Sequence, residues 1–174
     1  MDAVFPTRDA WVAAYRERWL AHYQATGQID WKLYPALTLD SAPAGKAVDV
    51  TQASVLLISS AGGYIPQAHA AFDATNDLGD YSIRLIDTPY APSAYHFAHD
   101  HYDHTAVDAD PQVLVPVTHL LDLQDAGLIG ELAPQVVSFM GYQPDVGRVV
   151  DEMIPQIISV AHDLRVDAAF LVPS

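Results

Sequence analysis

A short, almost continuous apolar run at residues 54–60 (SVLLISS) constrains the fold most strongly. A strand that is apolar at successive positions is buried on both faces, which is typical of a parallel sheet covered by helices. The run ends at Ala61-Gly62-Gly63. Two glycines after a strand can let the backbone approach a ligand, although a single Gly-Gly pair is only a weak indication of a site.

Further strands and helices alternate along the chain. Strands are expected at residues 81–86, 136–140 and 167–172, and helices at residues 7–26, 117–126 and 145–164. Pro155 removes a backbone donor inside the last helix, so a kink or break is expected near it. The alternation predicts an α/β fold, a mostly parallel sheet with helices on both faces. Ligands bind such sheets at the carboxyl ends of the strands, where the Gly62-Gly63 turn, a histidine cluster and the turn at Gly141 should converge.

The first helix carries one aromatic stripe, formed by Trp11, Tyr15, Trp19 and Tyr23. Thr7 is the expected N-cap and Gly27 the expected end. The stripe predicts a packing face, directed against the body of the domain or against a second subunit. Residues 29–50 contain proline and glycine with little periodicity and predict an extended arm. Residues 1–50 therefore form an N-terminal helix and arm before an α/β domain at residues 51–174, and the whole is expected to form one compact domain.

The charge balance argues against a protein that binds nucleic acid. The 174 residues include 22 acidic and 8 basic side chains, for a net charge of −14, and no cysteine. No lysine or arginine occurs between Leu85 and Gly147. A surface that binds nucleic acid needs the opposite balance.

The chain has no apolar run near the ~20 residues of a membrane span and no secretion signal at its N-terminus, so we expect a cytoplasmic protein without a membrane partner.

Four of the eight histidines lie within nine residues and are interleaved with aspartates. Imidazole and carboxylate are ligands for divalent transition metals such as zinc, iron, manganese and nickel, and imidazole titrates nearest neutrality. The predicted catalytic residues, which are also the predicted metal ligands, are His99, His101, Asp103 and His104. Asp103 could instead orient an imidazole, and His96 is a weaker candidate. The alternative is a polar, pH-sensitive loop in which neutral histidines bond to Asp100 and Asp103.

Other polar side chains give weaker predictions. Arg84 is the only basic residue near the expected site and could bind a substrate carboxylate, although an ion pair with an aspartate would explain it equally well. Tyr102 is also predicted to bind substrate, and both Tyr102 and Tyr142 could donate protons or simply pack. His69 and Asp73 are four residues apart, but their turn-rich surroundings favour a surface loop.

The spacing His99-x-His101-x-Asp103-His104 resembles the two-metal motif of the metallo-β-lactamase fold. That fold needs further histidine and aspartate ligands later in the chain. His119 comes too early, and His162 falls within a predicted helix. The motif keeps open an alternative function, a metal-dependent hydrolase, lyase or oxidase that uses the cluster to activate water or oxygen.

A second resemblance covers about 110 residues. The matching segments, in order, are GDYSIR at 79–84, HDHYDH at 99–104, DADP at 108–111 with Val115-Pro116, Leu120 to Leu123 with GLIG at 127–130, SFMG at 138–141 and VDAAFL at 166–171. In order and spacing they resemble the B-type subunits of the glycine/sarcosine/betaine/D-proline reductase family, and the histidine version resembles the D-proline branch most. The resemblance implies a reductase or reductase subunit that acts on a small amino-acid-like or N-substituted substrate, with the histidine loop as its site.

This sequence departs from the family pattern at the family's reactive loop. In those reductases the last strand runs into a loop with selenocysteine or cysteine, which attacks a carbon–nitrogen bond of the substrate. This sequence reaches Ser174 without a cysteine. Either a selenocysteine codon follows Ser174, or the scaffold works here without its redox loop. A third possibility is a non-catalytic metal- or ligand-binding subunit. The expected partners are a small-molecule substrate and either a second copy or a partner subunit.

Overall fold

A five-stranded sheet with helices on both sides dominates the computed structural model, which describes residues 5–37, 45–88 and 90–174. The α-helices are α1 (Arg8–Tyr15), α2 (Ala21–Thr26), α3 (Thr105–Ala109), α4 (Val117–Asp125), α5 (Val146–Arg148) and α6 (Ile154–Asp163). The strands are β1 (Ser54–Ser59), β2 (Gly63–Tyr64), β3 (Arg84–Asp87), β4 (His96–Phe97), β5 (Glu131–Leu132), β6 (Gln135–Ser138) and β7 (Ala168–Val172). Part of the predicted arm, residues 38–44, lies outside the described residues, as do residues 1–4 and Pro89. In the described part of the chain, no helix combines the length and apolarity needed to cross a membrane.

Strand β1 is the centre of the sheet, as its apolar run predicts. It pairs in parallel with β7 on one side, and with β5 and then β6 on the other. Strand β3 is antiparallel to β6. The predicted mostly parallel α/β sheet is therefore confirmed.

Helices cover both faces of β1, also as predicted. On one face, Leu57 and Val136 lie in a core with Val117 and Leu120 of α4. On the other, Leu56, Ile58 and Val137 pack against side chains of α6. Each fully buried aliphatic side chain of this kind contributes about 1.5–3 kcal/mol, so successive apolar residues in β1 stabilise both layers.

The aromatic stripe packs within its own chain. Helices α1 and α2 are joined by a π-helical turn, Arg16–Leu20, and the neighbouring ring centroids of Trp11, Tyr15, Trp19 and Tyr23 lie 5.3, 5.4 and 5.8 Å apart. Partly buried side chains from α5 and the turn after it complete this core. Helix α2 ends at Gly27 with φ 67°, as expected. The division of the chain near residue 50 stays a prediction.

Thr7 occupies the N-cap position of the first helix, as expected, but its side chain makes no capping hydrogen bond. The last helical segment changes its hydrogen-bond pattern just before Pro155, through a π-helical turn at Val149–Met153. This irregularity matches the expected effect of proline.

Two strands depart from their predicted bounds by two or more residues at one end. Strand β3 begins at Arg84, because Tyr81 turns into the interior, where its hydroxyl accepts a hydrogen bond from Asp145 N at 2.7 Å. Strand β6 ends at Ser138, and Met140 forms an isolated bridge with Ala61. Both differences come from contacts between segments distant in sequence.

Candidate functional site

The turn after β1, the histidine loop and the turn after β6 converge at one edge of the sheet, as predicted. Gly141 N donates to Ser60 O at 2.9 Å, and Ala98 N donates to Gly62 O at 3.0 Å. Strands β2 and β4 pair antiparallel, which ties the entry of the histidine loop to the residues that follow Gly62. The carboxyl ends of β1 and β6 therefore fix where the loop begins.

Two glycines permit this close approach. Gly62 has φ +68°, and a Cβ there would lie 2.5 Å from Ala98 O. A Cβ on Gly141 would lie 3.2 Å from His99 Nε2. A side chain at either position would displace the histidine loop, and at Gly62 the positive φ favours glycine as well.

His99 is the buried centre of the loop, with 4% of its surface exposed. Its Nδ1 accepts a hydrogen bond from His101 N at 3.2 Å, and its carbonyl accepts one from His104 Nε2 at 2.7 Å. With Nδ1 acting as an acceptor, we assign the hydrogen of the neutral ring to Nε2. Burial, reinforced by the two neighbouring imidazoles, lowers the pKa of His99. The ring is therefore neutral at neutral pH, a form that can donate a hydrogen bond.

His101 stacks on Tyr142, which the sequence marked only as a tyrosine that could donate a proton or simply pack. The His101 and Tyr142 rings are parallel within 4°, with centroids 3.8 Å apart. The Tyr142 hydroxyl donates to Asp77 O at 3.1 Å, which fixes the ring, and burial raises its pKa. The only sequence signal for Tyr142 was its position directly after the Gly141 turn.

Tyr102 links the histidine loop to the turn after β1. Its hydroxyl donates to Ala61 O at 3.1 Å, and its ring stacks on His104 with centroids 4.5 Å apart. Burial raises the pKa of Tyr102 to about 12, so the phenol stays protonated. Because this hydroxyl already has a backbone acceptor, a substrate contact by Tyr102 stays a prediction.

Asp103 and His104 connect the loop to α3. Asp103 Oδ1 accepts hydrogen bonds from Thr105 N at 2.8 Å and Thr105 Oγ1 at 2.7 Å, and these bonds lower its pKa. His104 Nδ1 lies 3.9 Å from a carboxylate oxygen of Asp108. These contacts give both residues a part in shaping the loop, and their predicted catalytic roles stay predictions.

The described residues do not fit a metal ion. Nowhere in residues 5–37, 45–88 and 90–174 do three or more histidine, aspartate or glutamate side chains come together in a way that could hold one. The hydrogen bonds explain this, because Nδ1 of His99, Nε2 of His104 and Oδ1 of Asp103 are each engaged within the loop.

Arg84 and His69 are engaged with the backbone. Arg84 Nε donates to Ala70 O at 2.9 Å, and the guanidinium lies 4.2 Å from the centre of the Phe72 ring. His69 Nε2 donates to Leu85 O at 2.9 Å. The structure does not bring Arg84 into the cavity beside His99, and its predicted contact with substrate stays a prediction.

A cavity of about 310 Å³ opens at the ends of β1, β6 and β7. It is lined by Ser60, His99, His101, Phe139, Gly141, Tyr142 and Ser174. The volume is at the small end of the range for ligand sites, roughly 300–1,000 Å³. Of these lining residues, none carries an acidic or permanently basic side chain, so the cavity offers uncharged donors and aromatic rings to a small polar ligand.

Comparison with known proteins places the chain in a family. Residues 32–173 match the family model described as glycine/sarcosine/betaine reductase selenoprotein B. The chain is 33% identical over 118 residues to sarcosine reductase complex component B subunit beta of Peptoclostridium acidaminophilum, covering 66% of this chain and 27% of that protein. It is 30% identical over 118 residues to D-proline reductase subunit gamma of Acetoanaerobium sticklandii, covering 68% of this chain and 47% of that protein.

These relatives do not separate the branches of the family. A third, glycine reductase complex component B subunit gamma of Peptoclostridium acidaminophilum, is 29% identical over 57% of this chain and 23% of its own length. The identities are similar, so assignment to the D-proline branch stays a prediction. The chain spans less than half the length of these relatives, and no solved structure matches it. The family match covers most of the chain and agrees with the resemblance seen in its motifs. The chain therefore belongs to the glycine/sarcosine/betaine reductase selenoprotein B family.

Proposed function

We propose that this chain is a subunit or module of a reductase and binds a small amino-acid-like or N-substituted substrate in the cavity beside His99. The observation that carries the proposal is the buried, neutral His99 in a cavity at the carboxyl ends of β1, β6 and β7. In parallel sheets this edge is the usual place for a ligand. The relatives named as sarcosine, D-proline and glycine reductase subunits support the substrate class.

The lining suits a small zwitterion. His99 Nε2–H is a neutral donor for a carboxylate, and so is the Ser60 hydroxyl when the Ser174 hydroxyl, 3.1 Å away, donates to it. The rings of Phe139 and Tyr142 offer apolar or cation–π contact to an ammonium or N-alkyl group. A cavity without a fixed charge binds such a substrate through hydrogen bonds and shape, so its selectivity should depend on the position of His99.

The proposed reaction is reductive cleavage of a carbon–nitrogen bond. Two electrons and two protons convert the bond to C–H and N–H, while two thiols, or a thiol and a selenol, are oxidised to a disulfide or a selenenyl sulfide. Because the 174 residues contain no cysteine, the reductant in our proposal comes from outside them. Both protons come from the thiol or selenol groups, and neutral His99 can hold the substrate through a hydrogen bond from its Nε2–H.

Titration with small amines, followed by NMR of the histidine side chains, tests binding. Sarcosine, D-proline, glycine and betaine are added separately, and at least one should shift the His99 and His101 ring signals to saturation. Tyr142→Ala should weaken that binding at least about tenfold, since it removes the ring that holds His101. His162→Ala, an exposed histidine on α6, is the matched control and should bind like wild type.

Turnover is tested on the amine that binds, with and without an added dithiol. Formation of the cleaved product only when the dithiol is present supports the reductase proposal. Saturable binding without product under either condition would instead identify a non-catalytic ligand-binding subunit. If none of the four amines shifts a ring signal of His99 or His101, the proposed substrate site is wrong.

A further inference from the structure

Tyr142 joins the cavity to the N-terminal part of the chain. Its ring stacks on His101 with centroids 3.8 Å apart. It also contacts Trp31, whose ring is perpendicular to it at 89°, with centroids 6.2 Å apart. Trp31 begins a short 3-10 turn, Trp31–Leu33, in the segment that the sequence predicted to be an extended arm. A side chain far from the cavity in sequence therefore contacts one of the rings that line it.

The hydrogen bond of Tyr142 leaves one rotation of its ring open. The Tyr142 hydroxyl donates to Asp77 O at 3.1 Å. Since the hydroxyl oxygen lies on the axis of the Cβ–Cγ bond, this hydrogen bond fixes the tip of the ring but not the angle of its plane. Rotation about that bond has broad energy wells. Contacts with the ring itself must set the plane, and the aromatic side chains that make them are His101 and Trp31.

Trp31 is itself firmly held. Its ring stacks on Trp19 with centroids 5.5 Å apart and lies edge-on to Tyr34 with centroids 5.4 Å apart. The Tyr34 hydroxyl donates to Pro144 O at 2.8 Å, which ties the Trp31 turn to the segment that follows Tyr142. The Trp31 ring therefore has a fixed place beside Tyr142, although 51% of its surface is exposed.

We infer that Trp31 is a positioning residue for the cavity beside His99, because it sets the plane of Tyr142 and thereby the orientation of His101. Trp31 lies outside the set of residues that line the cavity, so it acts through Tyr142 and not by touching a ligand. Its effect on substrate binding rests on the proposed function, but the stack of His101 on Tyr142 exists without a ligand. The N-terminal segment is then part of the binding site as well as a packing face.

NMR of the His101 ring in ligand-free protein tests the positioning step. A ring stacked 3.8 Å away shifts the proton signals of His101, so Trp31→Ala should move these signals toward the values of Tyr142→Ala. Trp31→Phe keeps an aromatic ring beside Tyr142 and should stay near wild type. In Tyr142→Ala protein, Trp31→Ala should have no further effect on the signals, because both changes act through one contact.

Phe5→Ala is the matched control. Phe5 belongs to the same aromatic cluster and is 6% exposed, but its ring contacts Trp11, at the other end of the stripe from Trp31. Its loss should weaken the cluster at least as much as the loss of the half-exposed Trp31. The His101 signals should nevertheless stay at their wild-type values, which separates positioning from a general loss of packing.

Substrate affinity then tests the link to the proposed function. For any of the four amines that binds, Trp31→Ala should raise the dissociation constant about two- to tenfold, as expected for one lost edge-to-face pair. Phe5→Ala should bind like wild type. Unchanged affinity in Trp31→Ala overturns the link to the cavity.

The ligand-free signals decide the inference even if no amine binds. His101 signals that stay constant in Trp31→Ala overturn it, and so does an equal shift in Phe5→Ala. Signals that shift in Trp31→Ala alone, in protein that binds none of the amines, support the positioning role while the proposed substrate site fails.

Discussion

Replacing Gly141 with alanine tests whether close packing against His99 shapes the cavity. A Cβ there would lie 3.2 Å from His99 Nε2, 3.2 Å from Ser60 O and 3.3 Å from Ser60 Cβ. Gly141 N donates to that same carbonyl, so the backbone has little room to retreat. The imidazole must therefore shift, which weakens the 3.2 Å hydrogen bond from His101 N to its Nδ1. A lost hydrogen bond and mild overpacking together cost about 2 kcal/mol.

Equilibrium urea unfolding measures that cost, with Gly45→Ala as the matched control. A Cβ on Gly45 would meet nothing within 4 Å, so its free energy of unfolding should change by less than about 0.5 kcal/mol. Gly141→Ala should also move the side-chain nitrogen signals of His99. Equal unfolding energies for the two variants, with unchanged His99 signals, would refute the packing argument.

Four further outcomes are expected. Gly62→Ala should cost at least about 2 kcal/mol more in urea unfolding than Gly127→Ala, because both need a positive φ but only Gly62 meets a backbone carbonyl; equal costs would contradict this. Trp19→Ala should cost about 3–5 kcal/mol by the same measurement, and a loss below 1 kcal/mol would mean that the ring is not buried. Stability should fall as the pH drops below about 6.5, because the unfolded chain then binds a proton at His99 that the folded chain does not. The free energy of unfolding should change by at most about 1.4 kcal/mol per pH unit, and by less in His99→Gln. An equal pH dependence in wild type and His99→Gln would exclude this histidine as its source. Elemental analysis should find no stoichiometric transition metal, and metal that His101→Ala loses would contradict the geometry.

Patterns within one segment predicted much of the fold. The apolar run of β1, the periodicity of α4 and the stripe on the first helix each determine which face is buried, because burial follows local spacing. The bounds of β3 could not be predicted, since the inward turn of Tyr81 depends on its bond to Asp145. Strands β2, β4 and β5 have two residues each and no pattern that could indicate them.

The candidate site, too, could be predicted only where local sequence patterns determine it. The histidine cluster could be located from composition, and its place at the strand ends from the alternation of elements. Which side chains turn into the cavity depends on the loop's own hydrogen bonds, which occupy Asp103 and His104. The stack of His101 on Tyr142 joins distant segments. Sequence spacing therefore suggested a metal-ligand set that the folded loop does not assemble among the described residues.

Titration of the wild-type chain with sarcosine or D-proline, followed through the side-chain nitrogen signals of His99, tests the central claim most directly. Binding in the cavity predicts a saturable shift at His99 Nε2 that Tyr142→Ala weakens and His162→Ala leaves unchanged. Signals of His99 that stay constant up to saturating concentrations of every amine tried would contradict the account.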